Sequence, residues 1–150
     1  MTPLDKLEKV ATKARADESR AAKALRASRE RHAADSAQLE QLRQFKAEYE
    51  TRLVEMARDG IDPRQLEDYR RFLASLNEAI SRQDTAVGVS GESLSSDRQR
   101  WLQTALHSSG LADFIARRRV EARQRVDRQA QRVADEVLAS RGSSAETDPD

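Results

Sequence analysis

The sequence predicts an all-α fold, a long antiparallel two-helix coiled-coil hairpin with an overhanging C-terminal basic helix, and three observations carry that prediction. Apolar residues step by three and four on both sides of a single tight break, Asp59-Gly60-Ile61-Asp62-Pro63. Neither Gly nor Pro occurs between Pro3 and Gly60. The composition, 37% hydrophobic and 4% aromatic against 35% charged, supplies a narrow seam better than a globular core.

The first helix is expected over about residues 3–58. Thr2 can cap it, Pro3 fits its first turn, and Asp5 can bond back to the cap in place of the usual Glu. At 1.5 Å per residue such a helix is roughly 80 Å long, which implies an extended rod. Its heptad places Leu4, Ala11, Glu18, Leu25, His32, Leu39, Lys46 and Leu53 at one core position. Leu7, Ala14, Ala21, Ser28, Asp35, Leu42, Tyr49 and Met56 take the other, so the seam is strong near the break and weak in the middle.

Residues 59–63 form the turn. Gly60 can adopt the left-handed conformation that ends a helix, and Asp62 can cap the next one, with Pro63 in its first turn and Gln65 completing a capping box. A hairpin centred on Ile61 brings residues whose numbers sum to about 122 into one layer. Met56 then meets Leu66, Leu53 meets Tyr69, Tyr49 meets Leu73 and Leu42 meets Ile80. Farther out small residues face large ones, Ser28 against Leu94 and Ala21 against Trp101.

The second helix is expected over about 63–141, giving one hairpin over 1–142. Gly88 and Gly91 should together cost roughly 2 kcal/mol relative to alanine, making 88–91 a soft point, continuous or briefly unwound. Beyond Trp101 the apolar pattern slips by one, to Leu102, Ala105, Ala112, Ala116, Val126, Ala130, Val133 and Val137. Arg141-Gly142 reads as a C-terminal cap and 143–150 as a disordered tail. Leu4 and Leu7 should lie near Ile115 and Val120, leaving an overhang of about twenty residues from Glu121 to Arg141. Between Arg117 and Arg132 stand seven arginines against Glu121 and Asp127, so this basic amphipathic helix is a candidate binding element.

No apolar run is long enough for a membrane span or a signal peptide, and a cytosolic protein is expected. The absence of cysteine excludes disulfides, thiol nucleophiles and thiolate metal sites. His32 and His107 have no carboxylate or hydroxyl partners at metal or triad spacing, and there is no phosphate-binding glycine loop. We therefore expect no enzymatic activity, no cofactor and no metal. His32 reads as a polar core layer that helps set register, and Trp101 as a core plug.

Two matched stripes stand out, Gln38-Leu42-Phe45-Tyr49 and Phe72-Leu76-Ala79-Gln83, both spaced four, three, four. Leu42, Tyr49, Leu76 and Gln83 belong to the seam. Gln38, Phe45, Phe72 and Ala79 lie at its edge, where exposed phenylalanines mark a contact surface unless they merely broaden the seam.

The residues Gln38 to Tyr49 (QLEQLRQFKAEY), Gly60-Ile61 and Tyr69 to Ile80 (YRRFLASLNEAI) resemble the FliJ family of the bacterial flagellar type III export apparatus, with a looser likeness from Trp101 to Arg141. Phe45 stands where the family would have Tyr, and Gly88 and Gly91 depart from its continuous second helix. The resemblance implies a coiled coil similar to the stalk subunit of rotary ATPases. It further implies a cytoplasmic, non-enzymatic component of flagellum biogenesis, protein transport and chemotaxis, held peripherally at the inner-membrane export apparatus. Its partners would be the hexameric export ATPase, the membrane export gate protein and export chaperones, with no direct membrane insertion; the capping chemistry and the matched seams themselves predict a monomeric hairpin when free. Gln38, Leu42, Phe45, Tyr49, Phe72, Leu76, Ala79 and Gln83 would bind the gate. The open end would enter the ATPase ring, through Leu4, Leu7 and Val10 on the first helix and Arg117, Arg118, Arg119, Arg123, Arg125, Val126, Arg128, Arg132 and Val133 on the second. A nucleic-acid-binding protein is an alternative, but the base-reading residues of a basic zipper are missing and no nucleic-acid partner is expected. A generic structural coiled coil would leave the stripes and the basic segment without a purpose.

Overall fold

The structure, a computed structural model describing residues Thr2 to Ala145, consists of two helices, α1 (Pro3–Asp59) and α2 (Pro63–Ala145), with no strand among the described residues. They pack against each other as a hairpin. Close contacts divide the chain into two units: a turn unit, Asp17–Thr104, and a terminal unit combining the residues up to Ala16 with those from Ala105 onward.

Both helix starts follow from local chemistry. The Thr2 backbone N–H donates to Asp5 Oδ2 (3.1 Å) while the Asp5 N–H donates to Thr2 Oγ1 (3.2 Å), a reciprocal cap closed by Asp where Glu is usual. Hydrogen bonding from Thr2, its hydroxyl first and its backbone second, holds the Asp5 carboxyl below its ordinary value. At the turn Gly60 has φ of 88° and ends α1. Asp62 then caps α2, its Oδ1 accepting from Arg64 N–H (3.2 Å) and its carbonyl from Leu66 N–H (3.0 Å). Asp62 makes this cap alone; the hydrogen bonds here do not include the expected Gln65 return.

Every predicted heptad position of α1 from Leu4 to Met56 is buried or half-buried, including Glu18, His32, Asp35 and Lys46. The same alternation runs along α2 from Leu66 to Ile115, and there it corrects the sequence reading. The seam does not slip after Trp101; it continues through Thr104, Ser108, Leu111 and Ile115, while Leu102, Ala112 and Ala116 face solvent and only Ala105 of the expected set is half-buried. In the terminal unit the small residues Ala11 and Ala14 are buried along with Ser108 and Ile115. A tight, small-residue layer accepts Ser108 where an apolar count overlooks it, so α1's strict heptad sets the register and not the scattered apolar residues of α2.

Mid-seam polarity is resolved in pairs within the turn unit. His32 Nδ1 lies 3.2 Å from Ser90 Oγ, and the Ser90 hydroxyl also lies 3.2 Å from the Val87 carbonyl. Gln83 donates to the Asp35 carbonyl at 2.9 Å, and Ser28 donates to the Asp97 carboxylate. No buried side-chain polar atom among the described residues lacks a partner. Ser28, expected opposite Leu94, thus has the Asp97 carboxylate as its partner.

α2 is helical without interruption through Gly88 and Gly91. The reason differs at the two glycines. A Cβ on Gly91 would sit 3.3 Å from His32 Cε1, so glycine makes room for the ring, whereas a Cβ on Gly88 would meet nothing. Gly142 is not a cap either. Gly60 is the only described glycine with positive φ, and Ser144 donates to the Ser140 carbonyl (3.0 Å) as α2 runs on through Ala145. One helical glycine costs about 1 kcal/mol, too little by itself to stop a long helix. Ser143, Ser144 and Ala145 are therefore helical where a tail was predicted, and the rest of that tail lies outside the described residues.

Candidate interaction surfaces

The first surface belongs to the turn unit. Tyr49 on α1 and Phe72 on α2 stack at a centroid distance of 4.4 Å and 29° between planes. Phe45 meets Phe72 edge-on at 6.1 Å and Tyr49 at 5.0 Å, and Tyr69 extends the ladder 5.8 Å from Tyr49. The Arg52 guanidinium lies 5.9 Å from the Tyr49 centroid. Phe45 keeps 43% of its surface exposed and Phe72 37%, so the two phenylalanines join one apolar patch across the hairpin.

The remaining stripe residues do not all reach that patch. Gln38 is exposed; Leu42, Tyr49 and Ala79 are half-buried. Leu76, only 6% exposed, is core. Gln83 spends its amide on the Asp35 carbonyl. The stripes thus combine an outward pair, Phe45 and Phe72, with residues that hold the helices beneath it. Sequence reasoning placed Tyr69 in the seam and passed over its part in the ring ladder, although its four-residue spacing from Leu73 toward Tyr49's layer was the available signal.

The second surface is the end of the terminal unit. Leu4 and Leu7 are half-buried and Val10 is 48% exposed. Ile115 is the last buried residue of α2: from Ala116 to Ser144 every residue is exposed, so the uncovered helix begins about a turn earlier than the expected Glu121. Val120, expected beside Leu4, belongs to this exposed stretch. Arg117, Arg118, Arg119, Arg123, Arg125, Arg128 and Arg132 all lie in it, with Val126 at 66% exposure and Val133 at 54%.

Two of those arginines have local partners. Arg119 pairs with Glu8 of α1, fastening the root of the exposed helix, and Arg118 lies 5.4 Å from the centroid of the Phe114 ring. The other five make no ion pair among the described residues, and their charge is open to a partner. Neither Glu8 nor Phe114 was singled out from sequence; Glu8 sits one position beyond the Leu7 core site, where flanking charges of a coiled coil usually lie.

No group of three potential metal ligands occurs among the described residues, and no described helix is long and apolar enough to cross a membrane. A family model described as Flagellar FliJ protein matches residues 2–147 of the chain. No curated protein and no solved structure matches it.

Proposed function

The chain belongs to the FliJ family of flagellar proteins, which places it among the components related to flagellar export, and from that premise we propose that it couples the export ATPase to the membrane export gate. In this reading it is a non-enzymatic, cytoplasmic protein held peripherally at the export apparatus, monomeric when free. It assists assembly of the hexameric ATPase ring and escorts export chaperones. The observation that carries the reading is the exposure of every residue from Ala116 to Ser144 on a helix that elsewhere buries one face. An amphipathic helix with a valine stripe and five unpaired arginines is suited to a partner that offers carboxylates around a cavity, as the channel of a hexameric ring does. Leu4, Leu7 and Val10 stand at the root of that helix and would join the same contact.

The gate would be met by the other unit, at the patch formed by Phe45 and Phe72 over Tyr49. Exposed aromatic rings on a rigid support bind a partner at low entropic cost.

Deleting 121–141 tests the assignment. ATPase stimulation and ring assembly should be lost, while gate binding through Phe45 and Phe72 stays within about twofold, because the deletion leaves the turn unit whole. Full stimulation by the truncated protein overturns the ATPase assignment. Binding of the intact segment to duplex DNA, falling steeply with salt and tighter than to the ATPase, favours a nucleic-acid function instead.

A further inference from the structure

The exposed end of α2 has a finer pattern than its net charge. From Ile115 the apolar residues recur at 11-residue spacing, Ile115 to Val126 to Val137 and Ala122 to Val133, in place of the heptad that governs the seam. At 3.6 residues per turn, Ala122, Val126, Ala130, Val133 and Val137 fall within an arc of about 80°. The stripe therefore drifts about 20° per 11 residues, more slowly than a heptad stripe and in the opposite sense. Such a slowly drifting apolar line suits a flat receiving surface better than a left-handed supercoiled partner.

Arginines border that line on both sides. Arg123 lies next to it on one flank, nearer than Asp127; Arg118 and Arg125 lie on the other, nearer than Glu121, and Glu136 stands on that same flank at the far end of the stripe. The span from Arg117 to Val137 holds seven arginines against Glu121, Asp127, Asp135 and Glu136, three net positive charges, concentrated between Arg117 and Arg132, and all of its residues are exposed. Long guanidinium side chains on both flanks of an apolar stripe can reach outward to anionic groups while the stripe sinks between them.

We propose that the exposed segment of α2, from Arg117 to Val137, docks lengthwise on an anionic lipid bilayer surface, with Val126, Val133 and Val137 in the interface and Arg118, Arg123 and Arg125 on lipid phosphates. The occupant is set by charge complementarity together with the shape of the stripe. A nucleic-acid duplex would engage the arginines but leave the valines exposed, whereas an anionic bilayer engages both. The valines are small, so charge supplies most of the attraction and the binding is reversible; nothing in the segment spans the membrane. The inference stands without the ATPase assignment. If both hold, lipid and ATPase compete for one helix face.

The test uses the full chain in co-sedimentation with vesicles of phosphatidylglycerol and phosphatidylcholine, against vesicles of phosphatidylcholine alone. Binding should appear on the anionic vesicles at low salt, be absent from the neutral ones, and weaken as salt rises. Arg123→Gln with Arg125→Gln should lower partitioning about 30-fold, from roughly a fivefold factor per arginine near the surface. Val126→Gln with Val133→Gln should lower it about tenfold, from the lost apolar burial, with the helical melt unchanged because both positions are exposed. No binding to anionic vesicles at low salt overturns the proposal. Undiminished binding by the valine variant overturns the lengthwise docking, and tighter binding to duplex DNA than to vesicles at equal ionic strength overturns the lipid assignment.

Discussion

Tyr49 and Phe72 stack 4.4 Å apart across the hairpin, and through that stack the exposed phenylalanines are anchored to the seam. Phe45 and Phe72 are therefore partly structural. Replacing both with alanine should cost about 1 kcal/mol each, the worth of an aromatic pair, while Leu76→Ala should cost about 3 kcal/mol because that side chain is core. Urea titration of the double variant and of Leu76→Ala, paired with a gate-binding assay, separates the contributions. Gate binding should fall at least tenfold in the phenylalanine double variant. If that variant loses as much stability as Leu76→Ala and binds the gate normally, the patch is merely a broad seam.

Much of this was legible in the sequence. The break at Asp59 to Pro63, the cap at Thr2 and Asp5, and every seam position of α1 could be read from capping chemistry and heptad spacing, because both depend on residues near one another in the chain. The polar layers were not. His32, Asp35 and Ser28 looked like weaknesses on one helix, and their partners Ser90, Gln83 and Asp97 are about fifty to seventy residues away. The course of α2 after Trp101 was misread for a related reason: Leu102 and Ala112 outrank Thr104 and Ser108 on any hydrophobicity scale, yet α1 decides which of them is covered. Of the basic end, the charge and stripe were plain in sequence, while the Glu8 to Arg119 fastening required the fold.

The two mid-helix glycines should respond in different ways to the same substitution. Gly88→Ala adds a methyl group in open space and should stabilise the protein by about 1 kcal/mol. In Gly91→Ala the same gain is opposed by the His32 ring, which must shift by a few tenths of an ångström, so its midpoint in denaturant should rise less than half as far. In a His32→Ala background the difference should shrink. Equal gains from the two substitutions in the native background would show that the close approach of His32 has no energetic weight.

Ser90→Ala removes the side-chain partner of His32 Nδ1 in a half-buried layer and should cost about 1–2 kcal/mol. Chemical denaturation with unchanged m-value is the check. Ser140→Ala, on the exposed end of α2, should stay within about 0.5 kcal/mol of the parent protein.

The amino-terminal cap should titrate. Asp5 has its carboxyl below the ordinary value in the folded helix, so the cap's contribution is present above the unfolded value and is lost as pH falls through the folded one. Amide exchange at Asp5 and Lys6 should accelerate, relative to the intrinsic rate, as the solution is acidified through that range. In Asp5→Asn the pH step should vanish, and a persisting step would assign it to another group.

The short link between α1 and α2 also has a mechanical side. Only Gly60, Ile61 and Asp62 join Asp59 to Pro63, with Gly60 held at positive φ and Asp62 bonded into the start of α2, so the link has no slack. Within the turn unit the bonds of His32 with Ser90 and of Gln83 with the Asp35 carbonyl oppose sliding, since each would have to be broken. Shear between the two helices, the usual low-cost motion of packed helices, is thereby made more costly here. A pull or a twist delivered to α1 in this unit has to work against those bonds before it can slip past α2, as in a keyed shaft.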